Sequence, residues 1–486
     1  MSVGALAPVG AADPLQLDAT GLVSAIRARK FSVETLVDAC LARIAERDGE
    51  LKAFITVCSE QAHAEALAAD QALARSDLCG ALHGIPVAIK DNTPTAGIRT
   101  TFGSRVRADY VPEADDLVVA RLKQAGAIVI GKTNTPEFAC GALCTNALQG
   151  PTANPWNTAY SSGGSSGGSA ASVADRMVPL AQGTDFGGSV RTPASFCGIV
   201  GLRPTPGRIP MAPKDVPWNA LNVHGILART VRDAALMLEV VSGPDLRDPL
   251  SCAVSQWEMT SSGSSRRDVR IAYSADLEFA VVHTAVRRVF NASVERMQDA
   301  GLRLSAGAPD ATGAKHAFET VRAANLHHAY ARFCREHRAL CSPSFVWNVE
   351  SGAAMGADAY LTAEVERGRV YQAFVRFFEH HDILVTVSAA VPPFLNTQED
   401  VREVNGTPME NIIDYLRITY VISLVGFPAI SIPCGFTDDG LPVGLQLIAR
   451  PFEEVALLRT AALLERELGF AYREPTRRYR PDVTPG

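Results

Sequence analysis

The chain has 486 residues, with 46 Lys and Arg against 52 Asp and Glu, for a formal net charge of −6. With 47% apolar and 20% charged residues it can bury a large core, which argues against a disordered chain. The mild acidity leaves no footprint for a phosphate backbone, so direct nucleic-acid binding is disfavoured, and length alone suggests roughly three domains of about 150 residues.

Met1 to Pro14 hold no basic residue and no apolar core of a signal peptide, which argues against secretion. Helices come next. Ser32 is placed to cap a helix whose apolar face is Val33, Leu36, Val37, Cys40, Leu41 and Ile44. An Ala-rich amphipathic stretch runs from Ser59 to Arg75. Gly84 to Ile89 is a short apolar run that ends in Lys90-Asp91-Asn92. Asp116 to Gln124 reads as a helix and Ala127 to Ile130 as a strand, and this alternation predicts a buried sheet covered by helices.

Ser161 to Ser169 reads SSGGSSGGS, and an Ala-rich helix follows from Ser169 to Asp175. As composition it is a flexible linker, and no G-K-[ST] follows to make it a phosphate loop. Its neighbours look ordered. A second such segment, Gly183-Thr184-Asp185-Phe186-Gly187-Gly188-Ser189-Val190-Arg191, follows. Small residues before a serine allow close backbone approach and turn several N–H groups toward one point, as an oxyanion hole requires. A serine needs a base. His83 and His224 fit no triad pattern, whereas Lys90 ends an apolar strand where burial would lower its pKa.

Further on, Ile199 to Leu202 and Ala429 to Ile432 read as buried strands, and Thr230 caps a helix through Val241. Ser261 to Ser265 with Arg266-Arg267 reads as a surface loop, after which Val269 to Tyr273 resumes strand character. Residues 305–410 are mostly helical. The adjacent pairs His327-His328 and His380-His381 do not face each other on a helix, so they are not expected to bind metal. Phe374, Phe377 and Phe378 read as core, with a pocket lining as the lesser alternative. The charge-free stretch Ile418 to Thr437 is broken by Gly426, Pro428, Pro433 and Gly435, so it reads as a helix end and a buried strand rather than a membrane span. The ten cysteines are too sparse for a disulfide scaffold and read as reduced thiols of a cytoplasmic protein.

The ordered set of motifs resembles the amidase signature family. It comprises Gly84-Ile85-Pro86-Val87-Ala88-Ile89-Lys90-Asp91, Gly131-Lys132-Thr133-Asn134-Thr135-Pro136-Glu137-Phe138, the two glycine–serine segments, Gly198 to Thr205, Ala228 to Asp233 and Gly440 to Ile448. The likeness runs from about residue 18 to 470 and is weakest over 305–410. It implies an α/β fold as a single large domain, 18–480, with a central mixed β-sheet covered by helices on both faces. Residues 1–17 would be an N-terminal extension, and 305–410 a variable, mostly helical substrate-pocket region.

The resemblance also implies a Ser–Ser–Lys triad. Ser189 would be the nucleophile, Ser165 the bridging serine after a cis Gly164–Ser165 bond, and Lys90 the base. The backbone N–H groups of Phe186, Gly187, Gly188 and Ser189 would form the oxyanion hole. Asp185 and Arg191 would support the loop, Thr184 would hydrogen-bond Lys90 or the relay, and Ser166 and Ser169 would be structural. No metal and no organic cofactor is implied. The expected activity is hydrolysis of a small-molecule carboxamide through an acyl-enzyme. The alternative is the glutaminase A-subunit of a tRNA-dependent aspartyl/glutamyl amidotransferase, a partner-dependent machine. Thr135-Pro136-Glu137-Phe138 looks more like stand-alone members, since the tRNA-linked subunits tend to carry Met-Asp-Glu-Phe. A catalytically silent binding protein is disfavoured because all three triad residues are present. Homodimers are common in the family, though no residue here points to one, and no membrane partner is expected.

Overall fold

The apolar runs of the sequence become the strands of one mixed sheet. In this computed structural model, which describes residues 13–77, 80–253, 269–398 and 400–475, the sheet has eleven strands. They are β1 (Phe54–Val57), β2 (Pro86–Lys90), β3 (Ile128–Thr133), β4 (Leu180–Asp185), β5 (Val200–Arg203), β6 (Val223–Ala228), β7 (Ile271–Tyr273), β8 (Leu304–Ala306), β9 (Ile383–Val387), β10 (Ala429–Phe436) and β11 (Pro442–Ile448). Their order across the sheet is β1-β3-β2-β4-β6-β5-β10-β11-β9-β7-β8. β3, β2 and β4 run parallel, and β4, β6, β5, β10 and β11 alternate antiparallel.

Every residue of β2, β3 and β4 is buried, so helices cover both faces there, as the continuous apolar runs predict. β5 pairs with β10 across more than two hundred residues of chain, through Ala429 and Arg203. One sheet therefore spans the chain from Phe54 to Ile448, and the three-domain expectation from length does not hold.

Local signals mostly act as expected. Ser32 Oγ accepts from Thr35 N at 3.0 Å, and Val33, Leu36, Val37, Cys40 and Ile44 face the core, with Leu41 half-buried. Thr230 Oγ accepts from Asp233 N at 3.1 Å, capping the helix Val231–Val241. The charge-free stretch forms the helix Arg417–Val425, a left-handed Gly426 (φ 73°) and then β10. No helix among the described residues is long and apolar enough to cross a membrane. The described cysteines are free thiols. The 261–267 loop lies outside the described residues.

The helix after the first glycine–serine segment begins at Gly167, two residues before the expected start, and is buried at every residue through Ala174. The glycines explain this. A Cβ on Gly168 would lie 2.5 Å from both Ala53 O and Asn134 N, all rigid backbone, so only glycine lets the helix meet β3 this closely. Gly168→Ala is expected to cost at least about 1–3 kcal/mol in denaturant unfolding. Gly368→Ala, on the exposed face of the helix Ala357–His380 with nothing within 4 Å, should stabilise by about 0.5–1 kcal/mol.

Candidate active site

β2 delivers Lys90 into the interior. Its side chain is fully buried, and its Nζ donates to Ser165 Oγ at 2.6 Å and to Thr184 Oγ1 at 2.9 Å. Among the described residues it has no ion pair with a carboxylate. Burial pushes its pKa down to about 7, and the distant negative charge of Asp185 offsets this only in part. Thr184 on β4 is oriented by a second donor, Asn92 Nδ2 at 3.0 Å. Gln182, two residues earlier, takes Lys90 N–H at 3.1 Å and Thr93 Oγ1 at 3.2 Å, and its Nε2 donates to Gly183 O at 2.7 Å.

The second buried lysine makes the contrast. Lys132 on β3 donates to Thr95 Oγ1 at 2.8 Å, to Thr100 Oγ1 at 2.9 Å and to Thr93 O, so it braces the 93–100 loop and reaches neither serine. Burial lowers its pKa as well, to about 8.

The first glycine–serine segment is ordered and fully buried, not a linker. The Gly164–Ser165 peptide is cis, as the resemblance implies. Ser166 N donates to Ser189 O at 3.1 Å and ties the two segments together. Ser166 Oγ donates to Thr184 O at 3.2 Å and Ser169 Oγ to Gln182 O at 2.9 Å, so both serines hold the helix to β4. Ser189 lines the same cavity as Ser165, but no hydrogen bond joins their hydroxyls.

The second segment leaves β4 at Asp185 and turns into the helix Arg191–Cys197. Asp185 is the hub of this turn. Its carboxylate accepts from Arg191 Nε at 3.0 Å, Arg191 Nη2 at 2.9 Å and Arg203 Nη1 at 3.1 Å. Burial alone would raise its pKa, but the two guanidiniums outweigh burial and hold it well below the usual carboxylate range. The remaining Arg191 donors go to Thr419 O, Gln446 Oε1 and Ser423 Oγ at 2.7–3.0 Å. Arg191 is thus a brace with no group left to face the cavity.

Asp185 also corrects one expectation. Gly188 N–H donates to Asp185 Oδ1 at 2.9 Å, and Gly188 does not line the cavity. It is left-handed (φ 126°), and a Cβ there would lie 2.3 Å from Thr419 Oγ1. Its N–H points into the turn, so it is not one of the oxyanion donors. Phe186, Gly187 and Ser189 do line the cavity, and none of their N–H groups has a partner among the described residues. Thr419 Oγ1 fixes this turn by donating to Gly187 O at 2.8 Å.

The cavity encloses about 540 Å³. Besides Ser165, Thr184 and Ser189, it is walled by the rings of Phe102, Tyr110, Phe138, Phe186, Phe318, Tyr330 and Tyr420. Phe318 and Tyr420 stack at 4.2 Å, and Phe138 meets Tyr330 at 4.9 Å. Sequence reasoning missed this wall, as well as Gln182, Asn92 and Arg203. Arg203 did carry a signal, as a cation directly after the buried run Ile199 to Leu202. Of the other candidates, His224 also lines the cavity, and the rest lie elsewhere. Phe374 and Phe378 pack on Phe427 in the core, and Phe377 stacks on His381 at 4.4 Å. His327 Nδ1 meets Val349 O, His83 Nε2 meets Ala69 O, and His224 bridges Asp116 and Gln182.

Comparison with known proteins agrees with this architecture. The family model described as Amidase matches residues 35–458. The A-subunit of glutamyl-tRNA(Gln) amidotransferase from Alkaliphilus metalliredigens is 34% identical over 479 residues, covering 93% of this chain and 96% of that protein. A bacterial aryl acylamidase of the amidase signature family superposes with a TM-score of 0.89 at 25% identity, over 96% of this chain and 99% of that one. The A-subunit of glutamyl-tRNA(Gln) amidotransferase from Thermotoga maritima superposes with a TM-score of 0.73 at 27% identity, over 96% and 99%. The chain belongs to the amidase signature family and is a C–N hydrolase of the amidase type.

Proposed function

We propose that the chain hydrolyses a small carboxamide through an acyl-enzyme, with Ser189 as nucleophile, Ser165 as proton relay and Lys90 as base. The observation that carries this reading is the Lys90 Nζ–Ser165 Oγ hydrogen bond of 2.6 Å inside a buried site that lowers the lysine's pKa to about 7. A lysine neutral near pH 7 accepts the Ser165 proton, and Ser165 takes the Ser189 proton as Ser189 Oγ bonds to the amide carbon. The free N–H groups of Phe186, Gly187 and Ser189 support a three-donor oxyanion hole. The relay run backwards gives the proton to the leaving nitrogen as the C–N bond breaks. Water then attacks the acyl-enzyme, releases the carboxylate and restores Ser189. The hydroxyls of Ser165 and Ser189 must close on each other once substrate enters, as catalytic hydrogen bonds often do.

Two substrate readings follow, each favoured by a different observation. Identity above 30% across nearly all of both chains favours a glutaminase subunit, and among the sequence relatives this is the better supported of the two. The site favours a free amidase. Seven phenylalanine and tyrosine rings in the cavity that holds Ser189 suit an apolar or aromatic substrate body, and the backbone superposes better on the aryl acylamidase than on the amidotransferase subunit. On this geometry the first reading is a free-standing amidase.

Ser189→Ala should lower turnover at least about a thousandfold, and near-normal turnover would exclude it as nucleophile. Because Lys90 must be neutral to act, kcat/KM should fall about tenfold per pH unit below its pKa of about 7. A flat profile down to pH 5 would contradict this. The purified chain alone should hydrolyse members of a panel of anilides and carboxamides. Turnover of glutamine alone, and only when partner subunits are added, would instead establish the amidotransferase reading.

A further inference from the structure

The cavity that holds Ser165 and Ser189 is also lined by Arg322, from the helix Ala314–Glu336. Arg322 is only 8% exposed. One of its nitrogens, Nη2, donates to Asn348 Oδ1. Asn348 is itself fixed, since its Nδ2 donates to Ser344 O at 2.8 Å and Cys140 O at 3.4 Å. A guanidinium has five N–H donors, and no carboxylate among the described residues forms an ion pair with this one.

The acids nearby are engaged or remote. Glu319, one turn earlier on the same helix, accepts from Asn411 Nδ2 at 2.8 Å and lies outside this cavity's wall. Asp116 lines the cavity but is held by His224 Nε2 at 3.0 Å. Asp215 lines it from an exposed loop position. The other wall arginine, Arg107, lies over the Phe102 and Tyr110 rings at 4.8 and 5.0 Å. Burial disfavours the Arg322 charge, yet an arginine stays protonated at any working pH. A buried cation without a counter-ion is costly, and an anion entering the cavity removes that cost.

We propose that Arg322 is a specificity-determining residue that receives a carboxylate of the substrate, so that the amide hydrolysed carries a carboxylate on its acyl or its amine part. This rests on the hydrolase reading of Ser189. A bidentate guanidinium–carboxylate contact among apolar rings would select such amides about 10- to 100-fold over neutral isosteres.

The test compares matched amides. Glutaranilate against 5-methylhexananilide probes a carboxylate on the acyl part. 4-Acetamidobenzoate against 4-isopropylacetanilide probes one on the amine part, and glutamine is the third arm. The wild-type chain should favour the carboxylate member of one pair at least tenfold in kcat/KM. Arg322→Gln should bring that ratio to about one, mainly through KM, and Arg322→Lys should restore part of it. Arg332→Gln, an exposed charge on the same helix, should leave the ratio unchanged. Equal use of both members by the wild type, or equal loss of both in Arg322→Gln, would overturn the proposal. Binding separates its failure from that of the hydrolase reading. In Ser189→Ala, calorimetry should show glutarate or 4-acetamidobenzoate bound at least tenfold more tightly than in Ser189→Ala/Arg322→Gln. That result supports the anchor even if no amide is turned over, and binding of neither probe overturns it.

Discussion

Everything in the site depends on Lys90 being buried without a counter-ion. A lysine in water is protonated at neutral pH and is no base. Here the end of β2 carries it out of solvent and surrounds its Nζ with the Ser165 and Thr184 hydroxyls. Neither hydroxyl is charged, so burial is not compensated and the ammonium form is disfavoured. The obvious counter-ion, Asp185, ends the neighbouring strand β4 but is committed to Arg191 and Arg203.

The same arginine-held carboxylate shapes the serine turn. By taking the Gly188 N–H, Asp185 pulls that peptide inward and leaves Phe186, Gly187 and Ser189 with their N–H groups unclaimed at the cavity. Thr419 secures the turn from the helix Arg417–Val425, and Ser166 ties it to the first glycine–serine segment. The site is thus preorganised by groups that do not face the cavity, and it is walled by rings that do. Such a cavity is suited to exclude water from an apolar amide while holding one polar end of it.

Much of this was legible in the sequence, for a physical reason. The glycines and apolar runs around Lys90, Ser165, Thr184 and Ser189 mark local backbone, and that these residues meet in one site was implied by the resemblance of the ordered motifs to the amidase signature family. The direction of one N–H in a tight turn is another matter. Gly188 faces Asp185 because two arginines, one of them on β5, hold that carboxylate in place, and this pairing is tertiary. The aromatic wall was hidden for the same reason. Phe102, Phe138 and Tyr420 come from segments far apart in the chain, whereas Phe318 and Tyr330 share one face of the helix Ala314–Glu336 with Arg322, Asn325, Leu326 and Ala329, and nothing local to that helix marks this face as the one turned to the cavity. The early start of the helix at Gly167 was missed because helix propensity disfavours glycine, and the close approach to Ala53 and Asn134 overrides it.

The central claim is that burial alone leaves Lys90 neutral near pH 7. Titrating the side-chain nitrogens of a 15N-lysine-labelled chain by NMR tests it directly, with Lys90→Met to assign the signal. Lys90 should titrate near pH 7, below Lys132 near pH 8 and well below exposed lysines at about 10.4. A Lys90 signal that titrates with the exposed lysines would contradict the account.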